Sequence, residues 1–166
     1  MDRTPPIFTG DERALLYSFL DWERETLAAK CAGLSEEQLR ERAVPPSNLS
    51  LLGLVRHMAH VERAWFRAII DGEDVPRLWG KDTHQDADFE DVDTASAEEA
   101  FATWRAEIER AREISAALPL DALAKQRRHG NDVSHRRTLI HVIQEYARHN
   151  GHADLLRERI DGTTGE

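Results

Sequence analysis

The sequence predicts an all-α protein, a four-helix bundle with a short extra helix and a long loop between the second and third long helices. Three observations carry that reading. Apolar residues recur at helical spacing in four long stretches, and almost nothing alternates with the period of a strand. Cap and stop residues punctuate those stretches. Four long amphipathic helices most simply bury their stripes against one another in an antiparallel bundle.

The first helix is expected from about Gly10 to Ala32, with Leu15, Phe19, Trp22 and Leu27 as its apolar stripe and Gly33 placed to stop it. In "LSEEQLRERA", Ser35 offers an N-cap with acids in the first turn, which suits a short helix. "VPPSN" breaks the chain. A strong helix then runs from about Leu51 to Asp71, with Leu51, Leu54, Met58, Val61, Trp65 and Ile69 facing inward, and "DGED" ends it. Residues 72–95 are acidic and aperiodic, and loops this long often bind or cover something. Ser96 can cap a helix from about Ala97 to Leu118, closed by Pro119. A basic connector with a turn at Gly130 and Asn131 leads to the last helix, from about Arg137 to Ile160, stopped by "DGTTG". Its inward face is Leu139, Val142, Tyr146, Ala153, Leu156 and Ile160.

Bulk properties narrow the function. The 166 residues are read as one domain, 1–166, long enough to bury a core. With 22 basic against 31 acidic residues the net charge is −9, which disfavours nucleic acid as a partner. No apolar run is long enough to span a bilayer, and "MDRTPPIFTGDERALL" lacks the apolar core of a secretory signal. One cysteine, Cys31, cannot form an internal disulfide and reads as a small buried side chain. A cytoplasmic protein with no membrane or nucleic-acid partner fits these features.

The chemistry concentrates on two helices. Each helical residue advances by about 100°. On that basis His149 falls inside the apolar arc of the last helix, Glu145 at its near edge, and His141 and His152 towards the rim. On the second long helix His57 lies at the edge of the inward face, while His60 reads as a surface residue. His57, Glu145 and His149 would make an ordinary ligand set for a divalent first-row metal, with positions left open. The same residues also fit a polar edge in which Glu145 pairs with arginine and the histidines are hydrogen-bonded. Metalloprotease, nucleophile-elbow and phosphate-loop motifs are absent. Periodicity alone leaves the two readings open.

"PPSNLSLLGLVRHMAHVERAWF" and "LIHVIQEYARHNGHADLLRERIDGTTG" together resemble an actinobacterial branch of the DinB-like (YfiT-like) superfamily, related to mycothiol-dependent maleylpyruvate isomerases. The resemblance spans nearly the whole chain and implies a bundle of that type with a divalent metal held by three side chains. It selects His57 from the second long helix, and Glu145 and His149 from "EYARHNGH", where "HNGH" replaces an H-R-G-Q-like stretch. Many relatives have histidine where Glu145 stands; the His–Glu–His set is similar to that of the isomerases. His152 replaces the glutamine of that stretch. Zinc and nickel both fit these ligands, and the resemblance further implies a low-molecular-weight thiol such as mycothiol, a small-molecule substrate, and S-transfer or isomerisation. Catalytic and thiol-contacting residues stay unassigned; Arg136 or Arg137 could pair with a carboxylate of substrate or thiol, Trp79 could border the cleft, and Tyr146 reads as core. Metal-assisted hydrolysis, with His152 or His60 as the base, and a non-enzymatic stress-response or binding module are the alternatives. A homodimer is common for such bundles, and Trp65, Phe66 and Trp104 suit core or subunit contacts.

Overall fold

A computed structural model describes residues 3–80, 84 and 86–165. Its elements are helices α1 (Glu12–Cys31), α2 (Glu36–Arg40), α3 (Leu51–Glu62), α4 (Ala87–Glu90), α5 (Ala97–Ala116) and α6 (His135–Asp161). A π-helical segment, Arg63–Ile70, continues α3. The described residues contain isolated bridges but no strand. This is an all-α bundle: α1 packs mainly on α6, α5 on α3 and its π continuation, and α3 on α6.

Side-chain caps explain where most helices begin. Asp11 accepts from the Ala14 amide, Ser50 from Gly53, Ser96 from Glu99 and Ser134 from Arg137, while Ser35 forms a reciprocal capping box with Gln38. The last helix therefore starts at His135, two residues before its expected start, because Ser134 satisfies its free amides. Gly33 and Gly162, both at φ 77°, follow the ends of α1 and α6 in the left-handed conformation that glycine adopts without strain. Arg13 secures the end of α5 by donating to the Ser115 and Leu118 carbonyls, each at 2.7 Å.

The expected inward faces of α3 and α6 are buried, apart from the half-buried Ile160. The stripe of α1 needs correction. Leu20, Leu27 and Cys31 face the core, whereas Phe19 is 46% exposed. The other flank of α1 carries an extended N-terminal segment: the Ile7 amide donates to Ser18 Oγ, and the Arg3 guanidinium lies 4.1 Å from the Trp22 ring centroid.

One polar network crosses the bundle and draws a residue from each long helix. Arg24 of α1 donates through Nε and Nη2 to the two oxygens of Glu62, at 2.9 and 2.8 Å. The Tyr146 hydroxyl of α6 donates to Glu62 Oε1 at 2.9 Å and accepts from the Trp104 indole of α5 at 2.7 Å. All four side chains are buried. Burial opposes the charge on Arg24, but Glu62 outweighs it and holds the guanidinium firmly protonated. Burial, followed by the Glu62 charge, pushes the Tyr146 hydroxyl well above its ordinary value. Tyr146 is thus core, as its position in the apolar stripe suggested.

The loop 72–95 is anchored to α3; its residues 81–83 and 85 lie outside the described residues. Trp79 donates its indole N–H to the Arg56 carbonyl at 2.9 Å, and the Arg56 guanidinium sits over the same ring. Arg56 also donates to the Ala87 carbonyl at 3.0 Å. Gly53 makes the close approach of α4 possible: a Cβ there would lie 3.3 Å from both the Cα and the ring of Phe89. These contacts lay α4 along the part of α3 that carries His57.

Candidate metal centre

His57 of α3 and Glu145 and His149 of α6 converge. Each offers one ligand atom, and those atoms lie within 4.8 Å of one another. The spacing follows from the fold: Glu145 and His149 stand one helical turn apart on one side of α6, and α3 packs alongside. The His57 and His149 rings meet edge to face at 4.6 Å between centroids. Glu145 Oε2 lies 3.6 Å from His149 Nε2, and Oε1 lies 3.4 Å from His141 Nε2. No arginine pairs with Glu145 among the described residues. The side chains of His57, Glu145 and His149 are 21%, 26% and 11% exposed, so a small molecule can reach the cluster.

Asp88 is the residue that sequence reasoning missed. It is buried on α4, and its Oδ2 lies 3.2 Å from His57 Nδ1. A carboxylate only accepts, so Nδ1 carries a proton, and in the neutral ring Nε2 is then the atom free to ligate. Outer carboxylates orient metal-bound histidines in this way. Phe89, the next residue, stacks on the His57 ring at 4.8 Å. Nothing local distinguishes Asp88 from the acids around it in "DADFEDVD"; only the loop's length hinted that it served a site.

The donor set fits a divalent cation. Two imidazoles and a carboxylate suit zinc, nickel and their neighbours. Burial, with the neighbouring His57 and His152 adding to it, pushes His149 down to about 3, so it is neutral and able to ligate across the physiological range.

The other histidines separate clearly. His152 Nδ1 lies 3.4 Å from His149 Nδ1, beside the cluster and on its outer side. His141 packs on Trp65 at 4.2 Å and touches Glu145. His60 is not the surface residue expected: it is half-buried, its Nδ1 has no hydrogen-bond partner, and burial lowers its pKa. The loop 72–95 accounts for this, since Asp88 and Arg77 lie close enough to influence it. Arg136 pairs with Glu12 at 2.6 Å, whereas Arg137 lies over Trp65. Cys31 is buried, and that burial raises its thiol to about 12.

No helix among the described residues is long and apolar enough to cross a membrane. No curated protein matches the sequence. A family model described as mycothiol S-transferase matches residues 15–162, which takes in the long helices except the first three residues of α1, and all three members of the cluster. With the helical bundle and that match together, the chain belongs to the mycothiol S-transferase family, a DinB-like family.

Proposed function

We propose that the protein is a metal-dependent thiol S-transferase whose centre is His57, Glu145 and His149. The observation that carries the reading is the convergence of these three ligand atoms from two helices in a reachable position. The family match supports a small thiol of the mycothiol type as co-substrate. A bound divalent cation, zinc or nickel, would lower the pKa of such a thiol and hold it as the nucleophilic thiolate.

The chain's own residues do the rest. Asp88 fixes the His57 tautomer, and Phe89 holds the ring plane. His149 is kept neutral by burial. Glu145 supplies the one negative ligand, so a dication keeps positive charge for a thiolate. The protein's own thiol does not compete, because Cys31 is buried and protonated. A single helical domain over 1–166, a cytoplasmic setting and a homodimer complete the proposal.

The test is elemental analysis of tag-free protein beside His57→Ala and Glu145→Ala. One divalent ion per chain in the wild type, lost in both variants, is the expected result. Wild-type protein that takes up no metal after incubation with Zn²⁺ or Ni²⁺ refutes the centre. Thiol-transfer activity that needs the metal then distinguishes a transferase from a structural site.

A further inference from the structure

Trp65 is flanked by two guanidinium groups. Arg128 lies 5.5 Å and Arg137 5.4 Å from its ring centroid. Neither forms an ion pair with a carboxylate among the described residues, in a chain of net charge −9 where most described arginines do. Their sequence neighbours show the contrast: Arg127 is paired with Asp132 and Arg136 with Glu12. Two like charges around one indole, without a counter-ion, leave a place for an anion.

The place is shaped. A cavity of about 260 Å³ is lined by Trp65, Arg128, His129, Asn131, Asp132, Val133 and Arg137, and the Asp132 carboxylate in its wall is engaged by Arg127 at 2.9 Å. Arg128 and Asn131 close a tight turn through reciprocal backbone hydrogen bonds of 3.0 Å. Its central residues, His129 and Gly130, have φ of 49° and 78°. Positive φ at both central residues is what a tight two-residue turn of this kind requires. The turn presents Arg128 opposite Arg137, which α6 supplies.

Packed side chains lead from the wall of the cavity to the candidate metal centre. Arg137, His141, Glu145 and His149 follow one another at four-residue intervals along one side of α6. Trp65 packs on His141, and His141 touches Glu145. From Arg137 to Glu145 the helix rises about 12 Å, the length of a modest metabolite.

We propose that Arg128 and Arg137, set around Trp65, form a subsite for a carboxylate or phosphate on the small molecule that reacts at the His57–Glu145–His149 centre. The substrate class is therefore anionic. The link to a reaction rests on the metal-centre reading; anion binding itself does not.

The experiment separates the two. Succinate is titrated into metal-free protein and followed by the Trp65 indole N–H resonance, assigned with Trp65→Phe. The wild type should saturate, and binding should weaken as salt is raised. Arg128→Gln and Arg137→Gln should each weaken it about fivefold, and the double variant more than tenfold. Both arginines are exposed, so the variants should keep the wild-type melting temperature and zinc stoichiometry. No saturable succinate binding in the wild type, or equal binding in the double variant, overturns the subsite. Absence of zinc uptake with arginine-dependent succinate binding refutes the metal centre and leaves the subsite standing. Zinc-loaded protein is then titrated with glutathione and with its diethyl ester. A preference for the free acid that disappears in the double variant places the anion on the thiol; arginine-dependent succinate binding without that preference places it on the electrophile.

Discussion

Substituting Arg24 with methionine keeps most of the side-chain volume and removes the partner of a buried carboxylate. Glu62 loses two charge-assisted hydrogen bonds, at 2.9 and 2.8 Å, and among the described residues keeps the one from Tyr146. Each is worth about 1.5–3 kcal/mol. Removing one partner of a buried ion pair typically costs about 3–5 kcal/mol, which agrees with the two bonds counted. At about 2–4 °C per kcal/mol for a chain of this size, the melting temperature should fall by roughly 6–20 °C. The cause can be tested through pH. An unpaired buried carboxyl is better tolerated when protonated, so the folded variant gains a proton that the unfolded chain lacks. The penalty should therefore be larger at pH 8 than near pH 5. Adding Glu62→Leu should recover most of the loss, since an apolar pair replaces an orphaned charge. Thermal melts by circular dichroism at both pH values decide it. A penalty independent of pH, or a double variant no more stable than Arg24→Met, would show that lost packing rather than a stranded charge sets the cost.

Four further outcomes follow from other contacts. Asp88→Asn should weaken metal affinity about 10- to 100-fold while leaving stoichiometry unchanged, as competition against a chelator would reveal; unchanged affinity would remove Asp88 from the centre. Gly53→Ala places a methyl 3.3 Å from the Phe89 backbone and ring, so α4 must shift; amide exchange across 86–90 should accelerate, and wild-type rates there would contradict the packing. His135 is buried, its Nδ1 3.2 Å from the Pro119 carbonyl and its Nε2 3.1 Å from Ser115 Oγ. Burial lowers its pKa, so the unfolded chain protonates first and stability falls as pH drops below about 6.5; His135→Gln should flatten that decline in a urea series. Native protein should leave Cys31 unmodified by a thiol reagent and react fully once denatured, because burial raises its thiol to about 12; rapid native labelling would refute this.

Much of the fold and part of the site could be read from the chain. The faces of α3 and α6 are legible because their apolar residues keep strict helical spacing, and that spacing puts His57, Glu145 and His149 at the inward faces of their helices. Legibility failed where a helix has more than one covered side. A helical wheel treats the flank away from the stripe as solvent. The wheel puts Phe19 inward, whereas the core takes Leu20 and the N-terminal segment lies along the other flank. The wheel puts His60 outward for the same reason, whereas the loop 72–95 lies beside it. Asp88 was hidden by composition, one acid in a run of them. The π segment Arg63–Ile70 has no counterpart in the hydrophobic pattern. It places Arg63 and Arg67 on Glu107, at 2.6 and 3.0 Å, and such pairings lie beyond periodicity.

The docking of α4 has a thermodynamic consequence. His57 belongs to the bundle, but its orienting carboxylate arrives on a four-residue helix within a long connection. Closing that connection costs chain entropy. Anything that favours the His57 orientation set by Asp88 must also favour the docked loop, and by reciprocity a docked loop must raise affinity at His57 to the same degree. A cation at the centre would then act as a latch on residues 86–93. Its departure would loosen them first, while the core around Glu62 stays closed.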